Sequence, residues 1–473
     1  MKLSTPTVGP IVGYTTSSDA RLWFRGQFEA VAGGYRRCFG AVQWGEKGKP
    51  ASTRQVKVGK MSPNFDMTGV FPLTGLKPDR EYEYRVGWFL ADADLDSARA
   101  MPQFDWDALE TFTFRTATDK ATATRSYAVG SCRYLLRLFG GTIFDDRGDK
   151  TFDSILSQHQ QNPISAVLMI GDQIYADDLN FVAPDETLDK FLGRYQTVFS
   201  QQHVSRLMSR VPTYMILDDH EIEDNWPNKA TTKDMTTTYP HAIHAYQVYQ
   251  ASHSPVFDLD KDGWITGTPT RFWYDFTDGC ADWFVMDVRT ERIWSADPAK
   301  RQMIKKGQMA ALLAWLSNGS GRAKMVVSSV PFIPDLTSDV DDKWGAYLPE
   351  RTQILDHILT NKIRKVSFVS GDVHCSFTAQ LTSPSDPDFK VFSIISSSFF
   401  WPYPHMEQSD FVLKGALSSV STNAGLNQYV IGKASQMYSA DNFARLDVAP
   451  DGVTVGYFGR KGESLGRPVK LVF

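Results

Sequence analysis

The stretch AVLMIGDQIYAD, residues 166–177, decides how the chain is read. Five apolar residues run without a polar break and stop at Gly171-Asp172. A run so short and so uniformly apolar predicts a strand buried on both faces, as in a sheet covered by helices. The signature recurs in YAVGSC (127–132), TYMILDD (213–219), WFVMDV (283–288), KMVVSSV (324–330) and KVSFVSGD (365–372). Helix-like stretches lie between several of them: TFDSILSQHQ (151–160), TLDKFLGRYQTVFSQQHVSRLMSR (187–210) and QMAALLAWLSNG (308–319). Strands alternating with helices predict an α/β domain over residues 125–473, with its chemistry beyond the strand ends. FARLDVAPDGVTVGYFG (443–459) reads as a closing hairpin with Asp451-Gly452 at its turn.

Upstream the pattern is different. Within residues 1–118, ARLWFRG (20–26), FGAVQWG (39–45), TGVFPLTGL (68–76), YEYRVGWFL (82–90) and ETFTFRTAT (110–118) are rich in β-branched and aromatic residues. With turn residues between most of them, they predict a β-sandwich. In LTGLKPDREYEYRV (73–86), Tyr82 and Tyr84 alternate with charge after Pro78, which resembles fibronectin type III domains, where a buried Tyr bonds back to the preceding corner. The acidic ADADLDSA (91–98) reads as a loop or edge, and TATDKATATRS (116–126) as a linker.

Composition fits this picture. The chain has 473 residues, enough for two or three domains of roughly 150. Lys plus Arg is 50 against 54 for Asp plus Glu, a net charge of −4, which excludes a polycation built for duplex nucleic acid. The cysteines at 38, 132, 280 and 375 never fall in CxxC, so neither a thiolate zinc ribbon nor a disulfide framework is expected. No apolar run approaches the ~20 residues that cross a bilayer. The start, MKLSTPTVGPIVGYTT, lacks the features of a signal peptide. The expected location is therefore cytoplasmic, or secreted or periplasmic if a leader was removed.

Four strand ends carry ligand-type residues: Gly130-Ser131-Cys132, Gly171-Asp172-Gln173-Ile174-Tyr175, Asp218-Asp219-His220-Glu221 and Gly371-Asp372-Val373-His374. One Asp after a strand is more often a helix cap than a ligand. Thiol, carboxylate, phenol and imidazole arriving together are what a two-metal hydrolytic site requires. A Gly before Asp at two of these ends lets the backbone turn sharply.

In order, GSC, GDQIYAD, DDHEIEDNW (218–226) and SGDVH (370–374) resemble the alkaline phosphatase D (PhoD-type) family of calcineurin-like metallophosphoesterases. The resemblance extends to YDFTDGCADWFVMDVRTER (274–292), to Trp344, Tyr347, Glu350 and Arg351, and to the sandwich-like N-terminal region. It implies a fibronectin III/Ig-like β-sandwich followed by an αββα metallophosphoesterase domain. It implies hydrolysis of phosphate esters by metal-hydroxide attack at a binuclear Fe/Ca site. On that resemblance Asp172 bridges two metals, and Cys132, Tyr175 and His374 complete a ferric site. Asp219 and Asp372 bind the second metal, which the family implies is Ca²⁺, with Zn²⁺, Mn²⁺ or Mg²⁺ as alternatives. Hard oxygen donors there suit Ca²⁺ better than Zn²⁺. Asn225 contacts the second metal or the phosphate, Asp218 is a supporting partner, and His220 contacts phosphate or protonates the leaving alkoxide. Arg133, standing where the family leads one to expect Gln, is a candidate for the extra charge of a monoester. The ligand set does not separate a phosphomonoesterase from a phosphodiesterase or a phospholipase D-type hydrolase. The expected partner is a small phosphate ester, a phospholipid or a nucleotide. A non-catalytic binding protein with a degenerate metal fold is the reading from another class.

Other features have two readings each. Asp258, Asp260 and Asp262, with Gly263 and Ile265, match the first half of an EF-hand loop, but Pro269 stands where its bidentate Glu belongs. They form either a weak calcium loop or a plain acidic turn. The run Phe399-Phe400-Trp401-Pro402-Tyr403-Pro404-His405 is either core packing or an apolar wall of the site. His241 and His244 share one face of a helix-like stretch, as a metal pair or a polar lid. Asp287 and Arg289 read as a structural ion pair or as support for the site.

Overall fold

The structure is a computed structural model that describes residues 1–473 apart from 28, 32–33, 36, 102, 136, 139–142, 145–146, 179–183, 261 and 421–427. The short apolar runs form the centres of two sheets. Strand Arg125–Gly130 pairs in parallel with Ala166–Met169, which pairs in parallel with Thr213–Met215. The C-terminal hairpin, Asn442–Ala449 and Gly452–Gly459, adds to the other side of Arg125–Gly130, and Val469–Val472 closes this six-stranded sheet. In the eight-stranded sheet, Ala281–Val285, Ala323–Ser328, Val366–Ser370 and Asp386–Ile395 run parallel, with antiparallel strands at both margins.

Alternation along the strands explains why both faces are apolar. Trp283, Val285, Met325, Val327 and Val369 belong to one core with Tyr127, Val129 and Leu168 of the first sheet. Their neighbours Phe284, Val326 and Phe368 belong to another core with Leu312, Leu316, Ile354 and Ile358 of helices Lys306–Leu316 and Leu348–Thr360. Successive side chains point to opposite faces, so each such strand needs apolar residues at every position. The two sheets therefore lie face to face with helices outside, a mixed α/β architecture. The register aligns Gly130 with Met169 and Met169 with Met215, so the segments after these strands leave from a common edge.

The N-terminal region consists of an antiparallel sheet of Val8–Thr15, Ala20–Arg25 and Thr68–Leu73 and another of Gln55–Lys60, Arg37–Glu46, Glu81–Ala91 and Phe112–Arg115. Val8–Thr15 and Gln55–Lys60 were not among the strands legible in the sequence. As expected, the Tyr82 hydroxyl reaches the preceding corner, accepting from the Lys77 N–H at 2.9 Å. The expected acidic loop contains a short helix, Leu95–Arg99, capped by Asp94.

Three local expectations are corrected. The stretch 187–210 is two helices, Leu188–Phe199 and Gln202–Met208, not one. In the closing hairpin Ala449 pairs with Gly452, so Pro450-Asp451 is the turn. The stretch 116–126 is no loose linker: Thr116, Ala117 and Thr118 are buried, and the Thr118 N–H donates to Asp278 at 3.0 Å. Across this junction the Trp23 indole donates to the Val248 carbonyl at 3.0 Å and the Tyr84 hydroxyl to the Ser209 carbonyl at 2.6 Å. Among the described residues, no helix is long and apolar enough to cross a membrane.

Candidate metal centre

The tails of the strands meet at the common edge. After Arg125–Gly130, the Cys132 and Arg133 N–H groups donate to the Gly171 and Asp172 carbonyls at 3.1 and 2.9 Å, zipping two tails together. The Asp372 N–H donates to Ser131 Oγ at 3.1 Å, bringing in a third. Cys132, Asp172, Asn225, Asp372 and His374 all have positive φ, between 48° and 71°. Non-glycine residues seldom take this conformation, and its concentration in one place marks a backbone bent to aim side chains. The two glycines before Asp act differently. Gly171 has φ +121°, and a Cβ on it would lie 2.6 Å from that of Asp218. Gly371 has no positive φ; there the absent Cβ leaves room for Ser131, at 2.6 Å from its Cβ.

The aimed groups converge. Cys132 Sγ lies 3.3 Å and the Tyr175 hydroxyl 3.4 Å from Asp172 Oδ2. Ser397 Oγ accepts from the His374 N–H at 3.0 Å and donates to Cys132 Sγ at 3.2 Å. Ligand-capable atoms of Asp172, Asp219 and His220 lie within 4.8 Å of one another, as do those of Asp218, Asp219 and Asp372. His220 stacks on Tyr175 at 4.2 Å, and its Nδ1 is 2.8 Å from Asp177, which fixes the ring. Asn225 is on the cleft wall, and its N–H donates to Asp219 Oδ2 at 2.6 Å.

Electrostatics shows what this packing costs. Burial and the carboxylates of Asp219, Asp218 and Glu221 push Asp172 well above the usual Asp range, although His220 works the other way. Burial, and then the charge of Asp172, pushes Cys132 well up, and burial together with Cys132 and Asp172 does the same to Tyr175. Asp372 is likewise raised by burial, against the pull of Lys343. Asp219 is different: burial opposes its charge, but Arg289 and His220 outweigh it and hold its carboxyl low. For His220, too, burial disfavours the charge, and Asp177, Asp219 and Asp172 outweigh it, raising the imidazole well above its ordinary value. Burial and the charge of His220 push His374 well down, leaving it a neutral donor.

A cleft of about 440 Å³ opens over these groups, lined by Trp401, Tyr403 and Met406 as well as by Asp224, Asn225 and Asp339. The aromatic run therefore divides between its two readings. Phe399 and Phe400 are core residues, while Trp401 stacks on His374 at 3.8 Å and faces the cleft.

The PhoD-like phosphatase family model matches residues 144–423, more than half of the chain. The chain belongs to the PhoD-like phosphatase family. Alkaline phosphatase D of Bacillus subtilis (strain 168) is 24% identical to it over 216 residues, which are 41% of this chain and 36% of that protein. The match thus spans about a third of that relative's length. A solved structure described as that of PhoD superposes with a TM-score of 0.70 at 17% identity, covering 99% of this chain and 89% of the other, a likeness of fold.

Several sequence-based expectations change on this PhoD-like scaffold. Arg133 does not reach the cleft. It is buried with its guanidinium 2.9 Å from both Asp149 and the Val198 carbonyl and over the Phe152 ring. Asp287 and Arg289 are not an ion pair: Arg289 holds Asp218 and Asp342, and Asp287 accepts from backbone N–H groups of Arg289 and Thr290. Asp258, Asp260 and Asp262 do not converge as a calcium loop. They lie in a hairpin where Asp260 accepts from the Asp262 and Trp264 N–H groups at 2.8 Å, and Asp262 pairs with Arg99; Lys261 lies outside the described residues. His241 and His244 bond separately to the Glu186 and Asn64 carbonyls.

Two groups, Asp177 and Lys343, went unread in the sequence, and a third, Glu221, was quoted at a strand end without a role. The Glu221 carboxylate accepts from the Asp172, Gln173 and Asp218 N–H groups, knitting two strand tails, and burial raises it to about 7. Asp177 orients His220. Lys343 pairs with Asp372, Asp342 and Asp339 at the edge of the cleft. A signal for Glu221 and Asp177 was present in DDHE and GDQIYAD; Lys343 had none, since its role depends on a distant segment folding back.

Proposed function

We propose that the chain is a phosphoric ester hydrolase that works with two unlike cations held beyond the strand ends. The observation that carries this reading is the excess of buried acidic groups, several of them held from ionising by burial and by one another. Cys132, Asp172, Tyr175, Asp219 and Asp372 crowd together and raise one another's pKa except where Arg289 intervenes. Asp218 Oδ2 and Asp219 Oδ1 are buried without a hydrogen-bond donor, the latter facing Arg289 only at 3.5 Å. Left without counter-charge, such a cluster is costly, and a bound cation repairs it. The donor set fits: Cys132, Asp172, Tyr175 and His374 for a ferric ion, and Asp172, Asp219, Asp372 and Asn225 for a harder cation such as Ca²⁺.

Such a pair supplies Lewis acidity and an activated water. The chain's own residues do the rest. Asp177 holds the His220 ring at the cleft by Nδ1, and the imidazolium donates a proton to the leaving oxygen. Trp401, Tyr403 and Met406 exclude water from the side where the organic group sits. Asp224 and Asp339 add acidic groups to the lining, which disfavours substrates bearing further anionic groups. We assign residues 1–118 to a fibronectin III/Ig-like sandwich and 125–473 to a calcineurin-like catalytic domain, supported by the paired sheets of each region.

The test is turnover of p-nitrophenyl phosphate by protein as purified, after chelation, and after reloading with iron and calcium. The reading expects loss on chelation and recovery on reloading. It also expects a visible tyrosinate-to-iron band that Tyr175→Phe abolishes. Full metal occupancy with no turnover of any phosphate ester would leave a binding protein instead.

A further inference from the structure

Whether a phosphoesterase prefers monoesters or diesters turns on one negative charge: near neutrality a monoester dianion carries about one more than a diester. Resting on the hydrolase reading above, we infer that Lys343 is the group that meets this charge, by donating to a non-bridging phosphoryl oxygen of a monoester.

His220 also lines the cleft and is assigned above to the leaving oxygen; the arginines near the site are committed elsewhere. Arg133 is turned into the core with Asp149. Arg289 is fully buried against Asp218 and Asp342, and Arg292 also spends a guanidinium nitrogen on Asp342. Among the described residues lining the cleft, Lys343 is the one lysine or arginine. Its side chain is only 5% exposed, so it does not wander in solvent. Two anchors hold the ammonium, Asp342 at 2.8 Å and Asp339 at 3.0 Å, and Asp342 is itself gripped by Arg289 and Arg292. The next residue, Trp344, is fully buried with its indole N–H donating to Ser328 Oγ at 3.0 Å, which fixes the backbone.

A lysine ammonium has three N–H donors. Two directions are taken by Asp342 and Asp339; the third goes to Asp372, which lines the cleft. When a cation takes the charge of Asp372, that third donor is left facing substrate. A preorganised, nearly buried ammonium of this kind discriminates by charge, because its hydrogen bond to a dianion is stronger than to a monoanion. The competing explanation is that Lys343 only neutralises its three aspartates, and the test must separate the two.

Lys343→Gln and Lys343→Arg are compared with the parent protein, each loaded with iron and calcium and checked by elemental analysis. Substrates are mono- and bis-p-nitrophenyl phosphate; inorganic phosphate and dimethyl phosphate are titrated calorimetrically onto the same samples. Lys343→Gln is expected to lose about 10- to 100-fold in kcat/KM on the monoester and no more than about threefold on the diester. Lys343→Arg should recover most of the monoester rate. Inorganic phosphate should bind Lys343→Gln about tenfold more weakly, with dimethyl phosphate unchanged. Equal losses on both esters, with or without loss of metal, would overturn the assignment and leave Lys343 a partner of its aspartates. If the parent protein turns over neither ester, the hydrolase reading falls, and the two phosphate titrations alone decide whether Lys343 reads the charge.

Discussion

The two halves of the cleft solve the same electrostatic problem in different ways. Around Cys132, Asp172 and Tyr175 the surroundings are rings: Tyr134 meets Tyr175 edge-on at 5.0 Å, and Trp401 covers His374. No arginine or lysine side chain pairs with these three among the described residues, and all three are pushed toward their neutral forms. Around Asp218, Asp219 and Asp372 the backing is ionic, with Arg289, Arg292 and Lys343 interleaved among the carboxylates and Asp342. In one half no arginine or lysine answers the acidic groups among the described residues; in the other Arg289, Arg292 and Lys343 do so in part, and Asp218 and Asp372 remain raised. The fold supplies rigidity to both, and the difference predicts how each responds to damage.

The largest effect should come from breaking the internal neutralisation. Arg289→Met strands Asp218 without a cation and leaves Asp342 to Arg292 and Lys343, and is expected to cost about 3–5 kcal/mol in urea denaturation of the metal-free protein. Tyr175→Phe, in the other half, removes one long hydrogen bond and should change the same midpoint by less than about 1 kcal/mol. Similar costs for both would erase the distinction.

The second prediction uses pH. The folded pKa of Asp172 and Asp372 lies above the unfolded value of 3.8, so the native metal-free state binds more protons than the unfolded one above that pH. Its stability then falls as pH rises, by up to about 1.4 kcal/mol per unit for each group. His220, also raised, acts with the same sign: its contribution is present below 6.5 and lost as pH climbs through the folded value. His374 and His253, both lowered, act with the opposite sign up to 6.5, so thermal midpoints of metal-free protein should decline most clearly above that pH, and Asp172→Asn should flatten the slope. A midpoint rising with pH there would contradict the proposed charge deficit.

Smaller effects sharpen the picture. Trp401→Ala removes the ring over His374 and part of the cleft wall, and should raise KM for an aryl phosphate about 3- to 10-fold. An unchanged KM would return the ring to a packing role. Asp260→Ala removes a turn carboxylate far from either half; it should cost less than about 1 kcal/mol and leave the bound calcium count unaltered.

The sequence disclosed the site's residue types better than their partners. Buried parallel strands leave a continuous apolar run that stops at functional residues, so the tails at 132, 172, 219 and 372 were legible one by one. Which side chains face each other is tertiary information. Arg133 follows Cys132 directly and was therefore read as a candidate cleft residue, yet its guanidinium is taken by Asp149, 16 positions on, and by the Val198 carbonyl. Arg289 was read as a partner of Asp287, two positions away, or as support for the site; its partners Asp218 and Asp342 lie 71 and 53 positions off. Lys343 reaches Asp372 through a segment with no strand or helix periodicity to announce it. The same limit applies to the fold: the closing hairpin was visible, but nothing local told that it pairs with Arg125–Gly130 in the middle of a sheet.

The most direct test is anomalous X-ray scattering from crystals of the metal-loaded protein, collected on both sides of the iron edge. The account expects two peaks in the cleft, an iron peak within bonding distance of Cys132 Sγ and the Tyr175 phenol oxygen, and a second, non-iron peak against Asp219 and Asp372. Fully loaded crystals with no ion between those side chains, or with the same element on both sides, would contradict it.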